Sequence, residues 1–224
     1  MPLHLQAQRP SQLEESRLAR NAEEALFVTL ANCSLITKKL SNLDWGDSSP
    51  AEWFNRLSTS THYDNFAFKN LFNLNLKGAN LNGVKLVETN LTYSNLEKSN
   101  LSAAVLFAAR LTKVKLANGI LHLTILRYAI LDKADLTSAD LTSADLTSAR
   151  LTGADLTSAD LTSARLTGAR LTGARLTNAN LTNAISLNFE LLSVAKSLYQ
   201  TKGIPPQILE KIKKEKPSLL EKPS

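Results

Sequence analysis

The chain is 224 residues long, 43% hydrophobic, with a formal charge of +6 and a single cysteine, Cys33. That length suits one substantial domain with terminal additions, and one cysteine excludes an internal disulfide framework. No apolar run approaches the roughly 20 residues that cross a bilayer, so no membrane segment is expected.

The charge is thinly spread. Residues 1–63 carry 6 Lys/Arg and 7 Asp/Glu, residues 64–184 carry 13 and 9, and residues 185–224 carry 7 and 4. Without a dense run of one sign, the balance reads as solvated surface rather than as a footprint for nucleic acid.

At the N-terminus, MPLHLQAQRPSQLEESRLAR lacks the basic head and apolar core of a secretory signal, which points to a cytoplasmic protein. Ser11 and Glu14 form a capping-box pattern that opens a helical stretch. Ser49-Pro50-Ala51-Glu52 opens a second, carrying Trp53 and Phe54, and residues 43–49 between them read as a loop. Residues 1–63 are therefore expected to form a helical extension or cap.

From residue 64 the organisation changes. Leucine occupies 71, 76, 81 and every fifth position through 181, 23 in succession, with Phe66 in the same register. On an α-helix, a step of five rotates about 140°, which would spiral the leucines around the whole surface. On a straight strand, five is odd, so successive leucines would alternate between faces. A single core requires the chain to turn a corner every five residues. Each short side then points its leucine inward, and successive coils stack as parallel strands about 4.8 Å apart.

A second inward position should lie two residues before each leucine, because side chains alternate along an extended segment. It is Ala at every step from Ala134 to Ala184, and mostly small before that. Asp64 and Lys69 do not suit an interior, so the regular coil is expected to begin near 70, with Phe66 as a transitional plug. Thr follows the leucine in every unit from 137 to 182 and is expected to face solvent.

Units such as Ala79-Asn-Leu-Asn-Gly83, Ala134-Asp-Leu-Thr-Ser138 and Ala179-Asn-Leu-Thr-Asn183 resemble those of the pentapeptide-repeat proteins, whose motif is A(D/N)LXX. The resemblance implies an all-β solenoid, a right-handed quadrilateral parallel β-helix with four pentapeptides per coil. Over residues 64–184 that makes about six coils and a rod near 30 Å long at the spacing above.

The ends of a solenoid expose an open core and unpaired backbone, so short helical N- and C-terminal caps are expected over 1–63 and 185–224. On the C-terminal side, residues 188–199 read as an amphipathic helix ending before Gly203, and a second helix runs from Pro205-Pro206 to Pro217. This tail is similar to the helical tails of many bacterial members of the family.

Candidate chemistry is sparse. His4, His62 and His122 lack metal-ligand spacing, and Cys33 has no histidine near it in sequence. Asp135, Asp140, Asp145, Asp155 and Asp160 recur with the repeat, which explains them without acid–base work. Gly153, Gly168 and Gly173 fall at corners where positive φ is needed and make no phosphate loop. No enzyme, metal or cofactor is expected.

Function should therefore sit on outward positions. With four sides per coil, residues twenty apart stack. Val105 then lies beside Ile125 with Phe107 next to them, Ile120 and Ile130 fall on the adjoining sides, and Leu123 and Tyr128 sit at nearby corners. Such an apolar belt implies contact, either with a partner or with a terminal helix folded back over it. Arg110, Arg150 and Arg170 share one side as a candidate basic stripe, with Asp140 and Asp160 opposite.

The expected function is a non-catalytic protein–protein interaction or scaffold role, with another protein or a second copy as partner. The alternative, implied by the resemblance, is a DNA-mimicking gyrase-binding protein of the quinolone-protection type. That role needs an acidic surface, whereas residues 64–184 carry 13 basic and 9 acidic side chains.

Overall fold

Every fifth residue of this chain closes a corner. The N–H three residues after a leucine bonds back to that leucine's carbonyl, as from Ala79 to Leu76 and from Ala134 to Leu131, each at 3.0 Å. Through the repeat, the second residue after each leucine takes φ between +52° and +70°, the signature of the third residue of a type II turn. Glycine holds five of those corners, including Gly153, Gly168 and Gly173. The others hold side chains as large as Leu123 and Tyr128, each in a left-handed conformation that costs about 1–2 kcal/mol.

The computed structural model describes Ala67 and residues 70–223. The expected N-terminal cap, Phe66, His4, His62 and Cys33 lie outside the described residues. Between corners, single parallel bridges join residues twenty apart, so four sides complete one coil. We number the faces in chain order from the residue before each leucine. Face one carries 70, 90, 110, 130, 150 and 170; face two begins at 75, face three at 80 and face four at 85. Face two ascends from Asn75 through Asn95, Lys115, Asp135, Asp155 and Arg175 to Ser197. Those six steps span about 29 Å at strand spacing.

The inward register is uniform. All 23 leucines from Leu71 to Leu181 are at most 1% exposed, and the alanines two residues before them are buried with them. Where the second inward side chain is polar, its hydroxyl finds a carbonyl. Ser94 Oγ donates to Leu71 O at 2.7 Å and accepts from Leu74 N at 3.1 Å, bridging that corner from the coil above. Thr124 Oγ1 donates to Leu101 O at 2.8 Å. Of the threonines after the leucines, Thr152, Thr167, Thr172 and Thr182 are exposed, whereas others such as Thr147 are half-buried, and the enclosed Thr147 Oγ1 has no hydrogen-bond partner.

The ladder continues past 184. Ile185 bridges Arg165, then the chain leaves the wall as a short helix, α1 (Phe189–Ser193), and returns two residues late to bridge Arg175 at Ser197 and Asn180 at Lys202. The amphipathic helix expected over 188–199 is thus only five residues long. The open coil edge captures the rest: Lys196 N donates to Ala174 O, and Leu198 enters the core at 1% exposure. Gly203 permits the last approach, since a Cβ there would lie 2.3 Å from Thr182 N.

The second helix, α2 (Pro206–Glu215), matches the sequence reading, with proline at its start and Lys213 and Lys214 in its last turn. A 3-10 turn, Pro217–Leu220, follows. Leu191, Leu192, Ile212 and Leu219 all join the core cluster at this end of the rod. Lys211 Nζ lies 4.1 Å from the centroid of the Phe189 ring, joining α2 to α1.

Candidate functional site

Most outward polar residues serve the backbone. Asp135, Asp140, Asp145, Asp155 and Asp160 each accept, through Oδ1, the N–H of the threonine two residues on, at 2.8–3.0 Å. Asn90, Asn95, Asn100 and Asn180 do the same at their corners. These Asx motifs satisfy turn N–H groups, so the recurrent carboxylates act structurally. His122 sits half-buried at a corner, and no cluster of three potential metal ligands occurs among the described residues.

The apolar outward residues have no such role. Val105 bridges Ile125 on face four. Leu123 stands at the corner where the chain enters that face, 54% exposed, and Tyr128 at the corner where it leaves, 51% exposed. The Phe107 and Tyr128 rings meet edge-on at that second corner, with centroids 5.5 Å apart. Ile120 lies on face three and Ile130 on face one, so the belt wraps three sides and centres on face four. Lys85 borders it below and Asp145 above, the latter 4.0 Å from Arg127. Helices α1 and α2 pack at the C-terminal end of the rod and leave Leu123, Ile125 and Tyr128 exposed.

A second aromatic corner escaped the sequence reading. Phe72 and Tyr93 meet edge-on at 5.6 Å, and Lys113 Nζ donates to Tyr93 Oη at 3.1 Å. Both pairs place Phe one residue after a leucine and Tyr 21 residues later, a diagonal step across one corner; that spacing was the available signal.

The basic stripe is broken. On face one, Ile130 separates Arg110 from Arg150, Arg150 is paired with Asp132, and only Arg170 follows above it. Acidic side chains do not compensate elsewhere: face three runs Asn80, Asn100, Ile120, Asp140, Asp160, Asn180. Near the start of the rod, the Lys77 ammonium, 2.9 Å away, holds the Glu97 carboxyl below its ordinary range.

The repeated unit identifies the family. A model described as pentapeptide repeats matches in eight copies over residues 70–106, 104–142 and 144–183, just over half of the chain. The chain belongs to the pentapeptide-repeat family. Among solved pentapeptide-repeat structures it is similar to HetL of the cyanobacterium Nostoc sp. strain PCC 7120, described as involved in heterocyst differentiation regulation. The identity is 33%, over 54% of this chain and 65% of HetL, with a TM-score of 0.39. The chain thus spans just under two thirds of HetL. Rfr23 of the cyanobacterium Cyanothece 51142 is 27% identical, over 58% of this chain and 97% of Rfr23, with a TM-score of 0.32. QnrB1, a plasmid-mediated fluoroquinolone resistance protein, is 15% identical, over 64% of this chain and 88% of QnrB1, with a TM-score of 0.30. No curated protein matches the sequence.

Proposed function

We propose that this pentapeptide-repeat protein is a non-catalytic interaction or scaffold protein that presents the apolar belt on face four to another protein. One observation carries the reading: Leu123 and Tyr128 are both exposed and both held at left-handed corners. A bulky side chain there is strained locally and forgoes burial, up to roughly 2 kcal/mol for a side chain of this size. The fold needs neither, since glycine or serine serves equivalent corners elsewhere. Strain and exposure kept together on one patch are the mark of a contact surface.

In this reading the coil is right-handed, and the helical segments at its C-terminal end serve as a cover. No observation favours the DNA-mimicking alternative, because no face carries more than two acidic rungs, those of face three being Asp140 and Asp160, and these engage their own corners.

Ile125→Asp tests the reading against Asn118→Asp, an exposed corner substitution away from face four. Both variants should keep the wild-type circular dichroism. Immobilised Ile125→Asp should lose a protein that wild type and Asn118→Asp retain from the native organism, or, if the partner is a second copy, should sediment as a smaller species. Identical retention and sedimentation for all three proteins would sink the proposal.

A further inference from the structure

The four-sided wall has one missing rung. Above Arg165 the ladder continues to Ile185, above Arg175 to Ser197 and above Asn180 to Lys202, but among the described residues nothing bridges Arg170 from above. There α1 swings over the end of the core instead of extending face one. In every coil below, the N–H two residues after one leucine and the N–H of the next leucine both donate to the coil above, as Ser148 does to Thr167 O at 2.8 Å and Leu151 to Arg170 O at 2.9 Å. The corresponding donors at this level are Gly168 N–H and Leu171 N–H. Among the described residues neither has an acceptor, and the Ala169 carbonyl between them has no donor.

A groove of about 530 Å³ lies over these groups, walled on the far side by Glu190, Leu191 and Val194 of the α1 segment. Ala169 registers the opening: it is 9% exposed, whereas its stacked counterparts Ala149 and Ala129 are at 0%. Donor, acceptor, donor, spaced as one rung, with room above them, is the edge that an added strand recognises.

Charge selects the occupant. The Arg170 side chain points outward at the centre of the gap and, among the described residues, its guanidinium has no hydrogen bond or ion pair, while Arg150 beneath it is matched by Asp132. Twenty residues after Arg170 the register reaches Glu190, the side chain that an uninterrupted coil would set on Arg170; α1 instead places it on the far wall of the groove, with no ion pair to Arg170. We infer that this groove binds an extended acidic peptide segment of a partner protein. The segment adds as a parallel rung on face one, with a carboxylate at the position above Arg170. Its two inward side chains must be small, because Leu191 and Leu192 already fill the end of the core. This site lies beyond the apolar belt and does not depend on it.

Hydrogen exchange on the full chain, followed by panning with phage-displayed random hexapeptides, tests the inference. In the free protein the Gly168 and Leu171 amides should exchange at least about a hundredfold faster than those of Ser148 and Leu151 one coil below. Selected peptides should carry an acidic residue flanked by small ones and should slow those two amides on binding. Arg170→Glu should weaken the selected peptide about tenfold or more, and replacing the peptide's acidic residue with lysine should restore it. Protection of Gly168 and Leu171 in the free protein equal to that of Ser148 and Leu151 would mean that the chain closes the rung itself and would overturn the site. So would a library that yields no binder, or a peptide that binds wild type and Arg170→Glu equally.

Discussion

The coils spanning 134–184 and those spanning 100–130 share one interior and differ outside. Both bury a leucine with a small residue beside it, and both close their rungs with the same main-chain bonds. In the later coils the outward residues repeat as Asp or Arg followed by Leu, Thr and a small corner residue, with the carboxylates accepting corner N–H groups. In the earlier coils those positions hold Val105, Phe107, Ile120, Leu123, Ile125 and Tyr128. The ladder is made of backbone and the core of inward side chains, so the outer surface is free to vary. What the earlier coils spend on strained, exposed apolar groups adds nothing to the rod.

The severest way to break the comparison is to attack what the two regions share. Leu146→Asp and Leu106→Asp should each lose more than about 4 kcal/mol or fail to fold, since each puts an unpaired charge in the leucine column. Urea unfolding checks this, and a wild-type midpoint for either would show the inward register to be wrong.

Ser94→Ala probes an early corner that the later coils lack. It strips Leu74 N–H and Leu71 O of their shared hydroxyl, and should destabilise by about 1–3 kcal/mol in the same assay. No change would mean that the corner closes its own turn bond.

Leu123→Gly sharpens the contrast from the other side. Relief of the left-handed strain, about 1–2 kcal/mol, outweighs the entropy of a new glycine, about 0.5–1 kcal/mol. The variant should melt at or slightly above wild type while losing the association carried by face four. Ser138→Gly, at an equivalent corner of the later coils, should gain similarly and leave association untouched. A clear drop in stability for Leu123→Gly would give that leucine a structural task.

The smallest effect concerns Glu97. Its folded pKa lies below its ordinary value because of Lys77, so its contribution is present above the unfolded pKa and fades as pH falls through the folded one. Lys77→Ala should move the Glu97 titration, followed by NMR, back toward the ordinary carboxylate range, with the neutral-pH melting temperature nearly unchanged.

Legibility varied with the range of the forces involved. The leucine column, the small inward partners and the positive-φ corners follow from a period that suits a chain turning a corner every five residues, so they could be read from residues 71–181 directly. The stacking of Val105 on Ile125 followed once the resemblance to pentapeptide-repeat proteins supplied four sides per coil. Residues 195–202 could not be read that way. Their apolar spacing suits a helix, but the coil edge offers them backbone partners that no local pattern records. The pairing of Arg150 with Asp132 was equally hidden, because the two sit 18 residues apart in sequence on neighbouring rungs.

By itself, the sequence determined that the chain turns a corner every five residues with leucine inside, because local sterics and burial agree at every corner. Tertiary structure alone decided how the rod ends. There the competition is between a five-residue helix and a rung of wall, and it is settled by which groups the last coil leaves unpaired. That competition leaves Gly168, Ala169 and Leu171 with an open edge, and the same distant packing leaves the belt on face four uncovered by the C-terminal helices.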